Sequence, residues 1–520
     1  MTAPTPRSLE TLTAARLAGM RRGIEKESLR ALPSGKLALT PHPTGLGSAL
    51  THPSITTDYS ESQLELITGV HTSVEACLAE LTEIHRFVYT VLAREGEEML
   101  WVASMPCQLP NEEAIPLGYY GTSNIGRAKS VYRMGLGHRY GRRMQTICGI
   151  HYNWSLPGLD NADYFALIRN FRRHAPVLLY LFGASPAVCP SFVEGRPHNL
   201  ISLPGGAMYL PWATSLRMGR LGYQSEAQAS LAVSYDSLEQ YADSLHEALT
   251  VPYPAYEAIG IRNLGGEYNQ LSTTLLQIEN EFYSTIRPKR TIRPGERPLH
   301  ALRERGVEYV EVRLMDLNPF ETVGIDAPTM RFLDLFLLHC HLTPSPPDTP
   351  EEIVAMALNQ RRTAAHGREP GFTLMRDGVE VSLVDWAAEL VTQLEPIAAR
   401  LDELRARPSA DYQAALAMAR DRLARPETLP SARVLAEMAT HHDNGYLAFV
   451  RARSLAARQA LLAAPLDSAS LARYEAVAEQ SLTAQRALEA AEQEPFETFR
   501  KHYVSAERLR PARATEQVIA

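Results

Sequence analysis

The sequence predicts an α+β fold in which an antiparallel or mixed sheet carries helices on one face. Strand-like and helical runs are mixed over the first two thirds of the 520-residue chain, without the regular alternation of a doubly wound parallel sheet. A proline-rich break at residues 342–350, LTPSPPDTP, precedes segments that are almost entirely helical in pattern. These observations indicate a large sheet supported by helices, with a helical C-terminal third.

Periodicity places the main elements along the chain. Alternating or β-branched residues in ESQLELITGV, QTICGIHYNWSLP and GVEYVEVRLMDLNPF predict strands. The run VEACLAELTEIHRFVYTVLAREG has the apolar spacing of a helix. Beyond the proline-rich break, Glu and Arg alternate with apolar residues at helical spacing, so we expect those helices to pack on the sheet without carrying chemistry.

Composition excludes several classes of protein. The formal net charge of -7 is mild and no polybasic tail is present, which argues against nucleic acid or a membrane surface as a partner. The five cysteines lack zinc-binding spacing and favour a reducing compartment. The N-terminal residues lack a signal-peptide pattern, and the most apolar run, FLDLFLLHCHL, is shorter than a membrane span. We therefore expect a cytoplasmic protein.

An unusual pair of acids lies in the run RRGIEKESLR. In a strand Glu25 and Glu27 point to one face and Ile24 points to the other. Two like charges on one face repel each other. Either water at an exposed edge or a bound cation must therefore compensate for this repulsion.

Similar polar faces recur in three other segments. In EYVEVRLMD, Glu311 and Arg313 share a face with Tyr309. The remaining polar candidates are Asp58, Glu61 and Glu65 in TTDYSESQLELIT and His151, Asn153 and Ser155 in HYNWSLP. A solvated sheet edge explains one Glu-x-Glu pattern, but its repetition favours a face that holds divalent cations around a phosphorylated ligand.

The usual glycine-rich phosphate-binding loops are missing from the sequence. No GxxxxGK[ST] motif occurs, and GLGSAL departs from GxGxxG at its last position. A bound nucleotide would therefore have to be held through metal and arginine. The basic run IRPKRTIRPGERP either lies near phosphates or is a solvated loop, and His441 and His442 have the pattern of a turn.

An ordered set of motifs resembles the bacterial, proteobacterial-type (type 1) glutamate-cysteine ligase family. These motifs are GIEKESLR, GSALTHPSITTDYSESQLELIT, SMPC, YYGTSNIGRAKSVYRMGLGHRYG, MQTICGIHYNWSLP, SLRMGRLGY, LQIENEFYSTIRPKR and GVEYVEVRLMDLNPF. The resemblance implies ATP-dependent ligation of the γ-carboxyl of L-glutamate to the amine of L-cysteine through γ-glutamyl phosphate, the first step of glutathione biosynthesis. It also implies a glutamine-synthetase-like antiparallel sheet whose polar face carries Mg²⁺, or Mn²⁺, with ATP.

The resemblance assigns roles residue by residue. Arg313 is similar to the family's catalytic arginine, which contacts the transferred phosphate. The implied metal ligands are Glu25, Glu27, Asp58, Glu65, His151 and Glu311. The implied substrate-binding residues are Tyr59, Tyr132, Leu136, Gln145, Arg217, Tyr223 and Tyr283. The chain departs from the family pattern at Tyr59, where relatives can carry phenylalanine.

The resemblance also suggests how the chain is organised. It predicts a catalytic domain over residues 20–380 and a helical region over residues 381–520 that packs on it, in a monomer whose only partners are small substrates. Two alternatives remain open: a related carboxylate-amine ligase with another amine acceptor, and a catalytically silent relative that binds nucleotide or metal.

Overall fold

The computed structural model describes residues 8–222, 226–229, 231–293, 295–404, 409–491 and 494–510. Its largest sheet has the strand order β2-β3-β1-β5-β10-β9, and β4 pairs with β1 at the far end of that strand. The strands are β1 (Arg21–Ala31), β2 (Ile55–Thr57), β3 (Gln63–Ile67), β4 (Met99–Leu100), β5 (Ile150–Ser155), β6 (Ala187–Val188), β7 (Ile201–Ser202), β8 (Met208–Tyr209), β9 (Ile286–Lys289), β10 (Tyr309–Met315), β11 (Thr373–Arg376) and β12 (Val379–Ser382).

Helices make up most of the rest of the described chain. They are α1 (Ala14–Ala18), α2 (Val74–Glu95), α3 (Asn124–Tyr140), α4 (Asn161–Phe182), α5 (Pro190–Val193), α6 (Glu226–Ala229), α7 (Leu238–Thr250), α8 (Pro254–Ile259), α9 (Pro298–Arg305), α10 (Ala327–Leu342), α11 (Pro350–His366), α12 (Leu383–Leu404), α13 (Asp411–Ala424), α14 (Pro430–His441), α15 (Tyr446–Ala463), α16 (Ser468–Ala491) and α17 (Phe496–Tyr503). Within the described ranges, none of them combines the length and apolar character needed to cross a membrane.

All strand pairs in the large sheet are antiparallel, which confirms the predicted α+β class. Alternation along β1 sends Ile24 into the core, where it is fully buried, and turns Glu25 and Glu27 to the opposite face. Helices α2, α4 and α10 pack behind the apolar face of the sheet. Helices α2 and α4 each bury a broad stripe that includes Leu, Ile, Val and Phe, whereas α10 is buried on nearly all sides.

A lysine lies buried directly beneath the acid pair. Lys26 points to the core side of β1, where its Nζ lies 2.5 Å from Ser28 Oγ and 3.0 Å from His85 Nε2. His85 Nδ1 lies 2.7 Å from the Leu81 carbonyl oxygen, so that nitrogen carries the proton and Nε2 accepts from Lys26. Burial lowers the pKa of Lys26 to about 8 and that of His85 well below its ordinary value.

The C-terminal helices follow the predicted break. Helix α10 ends at Leu342 and α11 begins at Pro350, so the proline-rich run separates two helices. The helical prediction missed the β11–β12 hairpin, and the proposed boundary after residue 380 falls within β12. Helices α12 and α13 pack on α10, and α15 packs on α2 and β4. The division into residues 20–380 and 381–520 stays a prediction.

The five cysteines are in two chemical states, bonded and free. Cys107 and Cys189 form a disulfide, although 82 residues separate them. Cys77, Cys148 and Cys340 are buried free thiols, and burial raises their pKa. Count and spacing could not identify the bonded pair, because their proximity depends on the loop after β4 meeting the start of α5.

A buried ion pair ties the sheet to the helices behind it. Arg22 on β1 donates to Asp334 on α10 with an N–O distance of 2.9 Å, and both side chains are almost fully buried. The hydroxyls of Tyr152 and Tyr412 also donate to Asp334, at 2.8 and 3.0 Å. These contacts join β1, β5, α10 and α13 at one carboxylate.

We expect Asp334→Asn to lower the free energy of unfolding by roughly 3 kcal/mol, because it leaves the buried Arg22 charge without a counterion. The measurement is urea denaturation followed by circular dichroism. As a matched control, Asp243→Asn removes the partner of Arg303 at a site where Asp243 is 78% exposed, and should change stability by less than about 0.5 kcal/mol. Equal losses in the two variants would contradict the structural role assigned to Asp334.

Candidate active site

The polar face of the large sheet forms the floor of a cleft of about 580 Å³. Helix α3 and residues within the segments 278–283, 292–293 and 295–298 form its walls. Within the described residues, the cleft contains all six predicted metal ligands, Arg313 and five of the seven predicted substrate-binding residues. Among these predicted residues, it brings together side chains that lie up to 288 positions apart, from Glu25 to Arg313.

Glu25 and His151 face each other across paired strands. They are direct register partners on β1 and β5, and His151 Nδ1 lies 2.9 Å from Glu25 Oε2. Asn153 donates from Nδ2 to Glu25 Oε1 at 2.9 Å. With the Nδ1 proton donated to Glu25, His151 Nε2 presents a lone pair. That atom is buried and has no hydrogen-bond partner within the described residues.

Three further carboxylates crowd the neighbouring strands. Glu27 is the register partner of Glu65, and Asp58 follows β2 on the same side of the cleft. Glu27 accepts a hydrogen bond from the backbone N–H of Gly149 at 2.8 Å. Burial, reinforced by the charge of Asp58, raises the pKa of Glu27 to about 8, and burial together with Asp58 raises the pKa of Glu65 well above its ordinary value.

Cations on the same face, from strands β9 and β10 at the opposite edge of the sheet, balance part of this charge. Glu311 Oε2 accepts from Arg313 Nη1 at 2.9 Å, and Glu311 Oε1 lies 3.0 Å from Lys289 Nζ. Although burial opposes ionisation, Lys289 and Arg313 hold the pKa of Glu311 well below its ordinary value. Arg313 also lies 3.4 Å from His151 Nδ1.

A β-bulge positions Arg313. The pairing of β10 with β5 skips between Val312 and Met315, so two residues of β10 face the single residue His151. Bulges bend a strand and redirect a side chain. Arg313 lies at the start of this bulge, on the face that alternation predicts. Its side chain points towards His151 and Glu311 at the centre of the cleft.

The donor set fits a hard divalent cation. Ligand atoms of Glu25, Glu65 and His151 lie within 4.8 Å of one another. In the part of the chain that the structure describes, the carboxylates of Asp58 and Glu65 have no hydrogen bond or ion pair to a protein group. His151 Nε2 makes no hydrogen bond there and lies 3.7 Å from Glu27 Oε1. Mg²⁺ and Mn²⁺ take such oxygen-rich sites.

An aromatic pocket lies at the far end of α3. Leu136 and Tyr132 face it from the helix, and Gln145 Nε2 donates to the Tyr283 hydroxyl at 2.8 Å. Tyr59 is buried against Gly137, and its hydroxyl makes no hydrogen bond to the described residues. This pocket can surround a small polar molecule with aromatic rings and one amide.

Two predicted substrate-binding residues do not line the cleft in the described chain. Tyr223 lies outside the described residues. Arg217 is buried behind Arg313, donates to its carbonyl oxygen at 2.9 Å, and borders a small adjoining cavity that also includes Tyr283. Gly149 permits this approach, because an added Cβ would lie 2.1 Å from Arg217 Nη2. The substrate role of Arg217 stays a prediction.

The structure adds cationic residues that the sequence did not single out. Lys129 and Arg133 line the cleft from α3, and Arg287 and Lys289 line it from β9. Part of the basic run IRPKRTIRPGERP therefore reaches the cleft, and alternation within IRPK was the available signal. Glu61 is different, since its carboxylate accepts from the backbone N–H groups of His42 and Tyr119 and supports a loop.

Comparisons with known proteins agree on one family. The sequence profile described as glutamate-cysteine ligase matches residues 8–363. The chain is 48% identical to a glutamate-cysteine ligase from Alcanivorax borkumensis over 512 residues, covering 94% of this chain and 96% of that protein.

Two solved structures extend the comparison. A glutamate-cysteine ligase from Francisella tularensis in complex with AMP aligns with a TM-score of 0.88 at 36% identity, covering 94% of this chain and 98% of that one. A bifunctional glutathione synthetase from Pasteurella multocida has a TM-score of 0.70 at 23% identity, covering 90% of this chain and 57% of that one, and shares the fold.

Proposed function

The chain belongs to the glutamate-cysteine ligase family, and from that membership we propose how its cleft joins glutamate to cysteine with ATP. ATP phosphorylates the γ-carboxylate of glutamate, and the cysteine amine then displaces phosphate from the resulting acyl phosphate. The products are γ-glutamylcysteine, ADP and phosphate. The observation that carries this proposal is the continuity of one cleft from the acid cluster with Arg313 to the aromatic pocket at Leu136.

Activation is needed because a carboxylate has no good leaving group. Transfer of a phosphoryl group from ATP supplies one, and the protein must position the two anions and neutralise their charge. Arg313 is placed for this role, since its guanidinium reaches Glu311 and His151 at the centre of the cleft. A preorganised cation there stabilises the negative charge that is shared between the γ-carboxylate and the transferring phosphoryl group.

The acid cluster is the proposed metal site. Glu25, Glu27, Asp58, Glu65, His151 and Glu311 would hold Mg²⁺, with Mn²⁺ as a possible substitute. The bound ion neutralises phosphate charge in ATP. Three features of this chain support the assignment: the carboxylates of Asp58 and Glu65 make no hydrogen bond to the described residues, His151 Nε2 accepts none from them, and the sequence lacks a glycine-rich phosphate loop.

The aromatic pocket is the proposed site of the cysteine acceptor. Tyr132 and Leu136 are carried by α3 opposite Tyr283, whose hydroxyl is fixed by Gln145. The pocket is small and offers rings to a compact thiol side chain. Tyr59 adds a hydroxyl that a phenylalanine would lack, and this hydroxyl makes no hydrogen bond to the described residues.

Two alternatives differ in what they predict for the same cleft. A ligase with another amine acceptor would keep the acid cluster and Arg313 but release ADP with a different amine. A catalytically silent relative would bind nucleotide without releasing ADP. The complete acid set with Arg313 favours an active enzyme, and cytoplasmic location and a monomeric state belong to the same proposal.

The metal assignment can be tested with Glu27→Gln. Loss of this carboxylate should weaken Mg²⁺ binding at least about tenfold and lower activity at limiting Mg²⁺. The fold of the metal-free protein should be preserved, because Gln has the size of Glu and the raised pKa of Glu27 already favours its neutral form. Titration calorimetry with Mg²⁺ and ATP measures the affinity. Glu83→Gln, at a half-buried residue of α2 that pairs with Arg473 and does not line the cleft, is the control. Unchanged Mg²⁺ binding would remove Glu27 from the ligand set.

The acceptor pocket can be tested with Tyr132→Ala. This change should raise KM for cysteine about tenfold or more and leave KM for ATP within about twofold, because the proposed contact is to the amine substrate. Steady-state kinetics with each substrate varied in turn gives the comparison. Tyr119→Ala, at a residue that is 60% exposed, is the control. Similar increases for all three substrates would point to general damage and remove the pocket assignment.

The order of chemical steps can be tested by trapping. With ATP, Mg²⁺ and glutamate but no cysteine, hydroxylamine should give γ-glutamyl hydroxamate and ADP. Arg313→Met should lower this trapping by about 10²- to 10³-fold, since a preorganised charge contact is lost at phosphoryl transfer. Tyr132→Ala should trap nearly as well as the unaltered enzyme.

Two outcomes of the trapping experiment would contradict the mechanism. Normal trapping by Arg313→Met with no ligation of cysteine would place the arginine in the second step. If the unaltered protein forms no hydroxamate and releases no ADP with glutamate, the ligase proposal itself fails.

A further inference from the structure

The C-terminal helix α17 forms part of the wall of the cleft. Tyr503, at its last position, lines the cleft together with Ile125, Leu271 and Ile278. This residue lies 140 positions beyond the end of the family match at residue 363. The ring of Tyr503 is partly buried, and within the described chain its hydroxyl has no hydrogen bond to another protein group.

Helix α17 is held firmly against α3. Phe496 packs with Ala128 and Leu271 in a small apolar cluster, and Arg127 lies over the Phe496 ring at 4.3 Å. Arg500 Nη1 donates to the Leu271 carbonyl oxygen at 2.5 Å. These contacts fix the helix against the first half of α3, where Tyr132 also packs on the same apolar cluster.

The Tyr503 ring has its own support at the cleft. Arg297 donates to the Tyr503 carbonyl oxygen at 2.6 Å and places its guanidinium 5.1 Å from the ring centroid. Glu279 holds the same guanidinium with bonds of 2.6 and 3.0 Å. Phe499 stacks one helical turn away with a centroid distance of 5.6 Å. The ring is therefore preorganised rather than a freely rotating surface side chain.

Helix α3 carries a row of side chains whose chemical character changes along the cleft. Ile125, Lys129, Tyr132 and Leu136 lie on one face of it, at spacings of four, three and four residues. At the rise of an α-helix, Ile125 and Leu136 are about 16 Å apart along its axis. Arg133, which lies between these two residues and nearer to Leu136, donates to the backbone carbonyl of Asp58. The acid cluster therefore lies between an apolar end at Ile125 and the aromatic pocket at Leu136.

The chemistry then assigns the apolar end. In the proposed reaction, the γ-carboxylate lies between the amine and the terminal phosphate of ATP, so the base of ATP must lie on the side opposite the amine. If the amine occupies the pocket at Leu136, the base occupies the end lined by Ile125, Leu271 and Ile278. We propose that Tyr503 contacts the purine base of the nucleotide there, an assignment that rests on the proposed function.

Direct binding measurements separate contact with the base from contact with phosphates. With Mg²⁺ present, Tyr503→Ala should weaken ADP binding about tenfold and leave binding of inorganic tripolyphosphate, which has no base, within about twofold. Tyr503→Phe keeps the ring and should bind ADP within about threefold of the unaltered protein. Titration calorimetry on the full chain provides both affinities.

Tyr268→Ala is the matched control. Tyr268 packs on Phe496 with a centroid distance of 4.9 Å and donates to Glu497 at 2.8 Å, so this variant removes a tyrosine from α17's packing outside the cleft. It should leave ADP affinity within about twofold. If Tyr268→Ala weakens ADP as much as Tyr503→Ala does, docking of the helix is responsible and contact by Tyr503 is overturned.

Failure of this inference can be distinguished from failure of the ligase proposal. Unchanged ADP affinity in Tyr503→Ala, or equal weakening of ADP and tripolyphosphate, overturns the base contact even if the unaltered protein forms γ-glutamyl hydroxamate normally. An unaltered protein that binds ADP no better than tripolyphosphate has no base subsite, which also overturns it. The ligase proposal is judged separately, by hydroxamate and ADP formation.

Discussion

The fixed crowding of carboxylates on one face of an antiparallel sheet is the constraint on which the rest of the structure depends. Glu27 and Glu65 are register partners, and Leu64 and Leu66, on either side of Glu65, are locked into the core on the other face. A register shift that separated the acids would also turn the core residues towards water. The repulsion therefore has to be balanced locally, and Arg313 and Lys289 balance part of it through Glu311.

Helix α3 turns this charged face into an ordered cleft. Its inner face carries an isoleucine, a lysine, a tyrosine and a leucine in succession, so polarity changes along its length. The acid cluster lies near the middle, where Lys129 and Arg133 add positive charge. One helix thereby fixes the relative positions of three chemically different parts of the cleft, as the proposed ordering of substrates requires.

The C-terminal region is both a support and a part of the cleft. Asp334 joins β1 and β5 to α13 through Arg22, Tyr152 and Tyr412, so the sheet and the later helices share one buried carboxylate. Helix α17 then returns to α3 and brings Tyr503 to the apolar end of the cleft. Sequence analysis assigned these helices only a packing role, because amphipathic spacing reports which face is buried but not what that face buries against.

The sequence by itself determined the class of fold, the strands that carry the acids and the side of each strand on which they lie. Alternation in RRGIEKESLR and EYVEVRLMD was sufficient, because a strand with one buried face has only one acceptable orientation. The ordered motifs then indicated the family. Only the tertiary structure decided which distant groups meet: the Cys107–Cys189 disulfide, the pairing of Lys289 with Glu311, the position of Arg217 behind Arg313 and the return of Tyr503. These contacts depend on how loops and helices pack in three dimensions, and local periodicity contains no information about that packing.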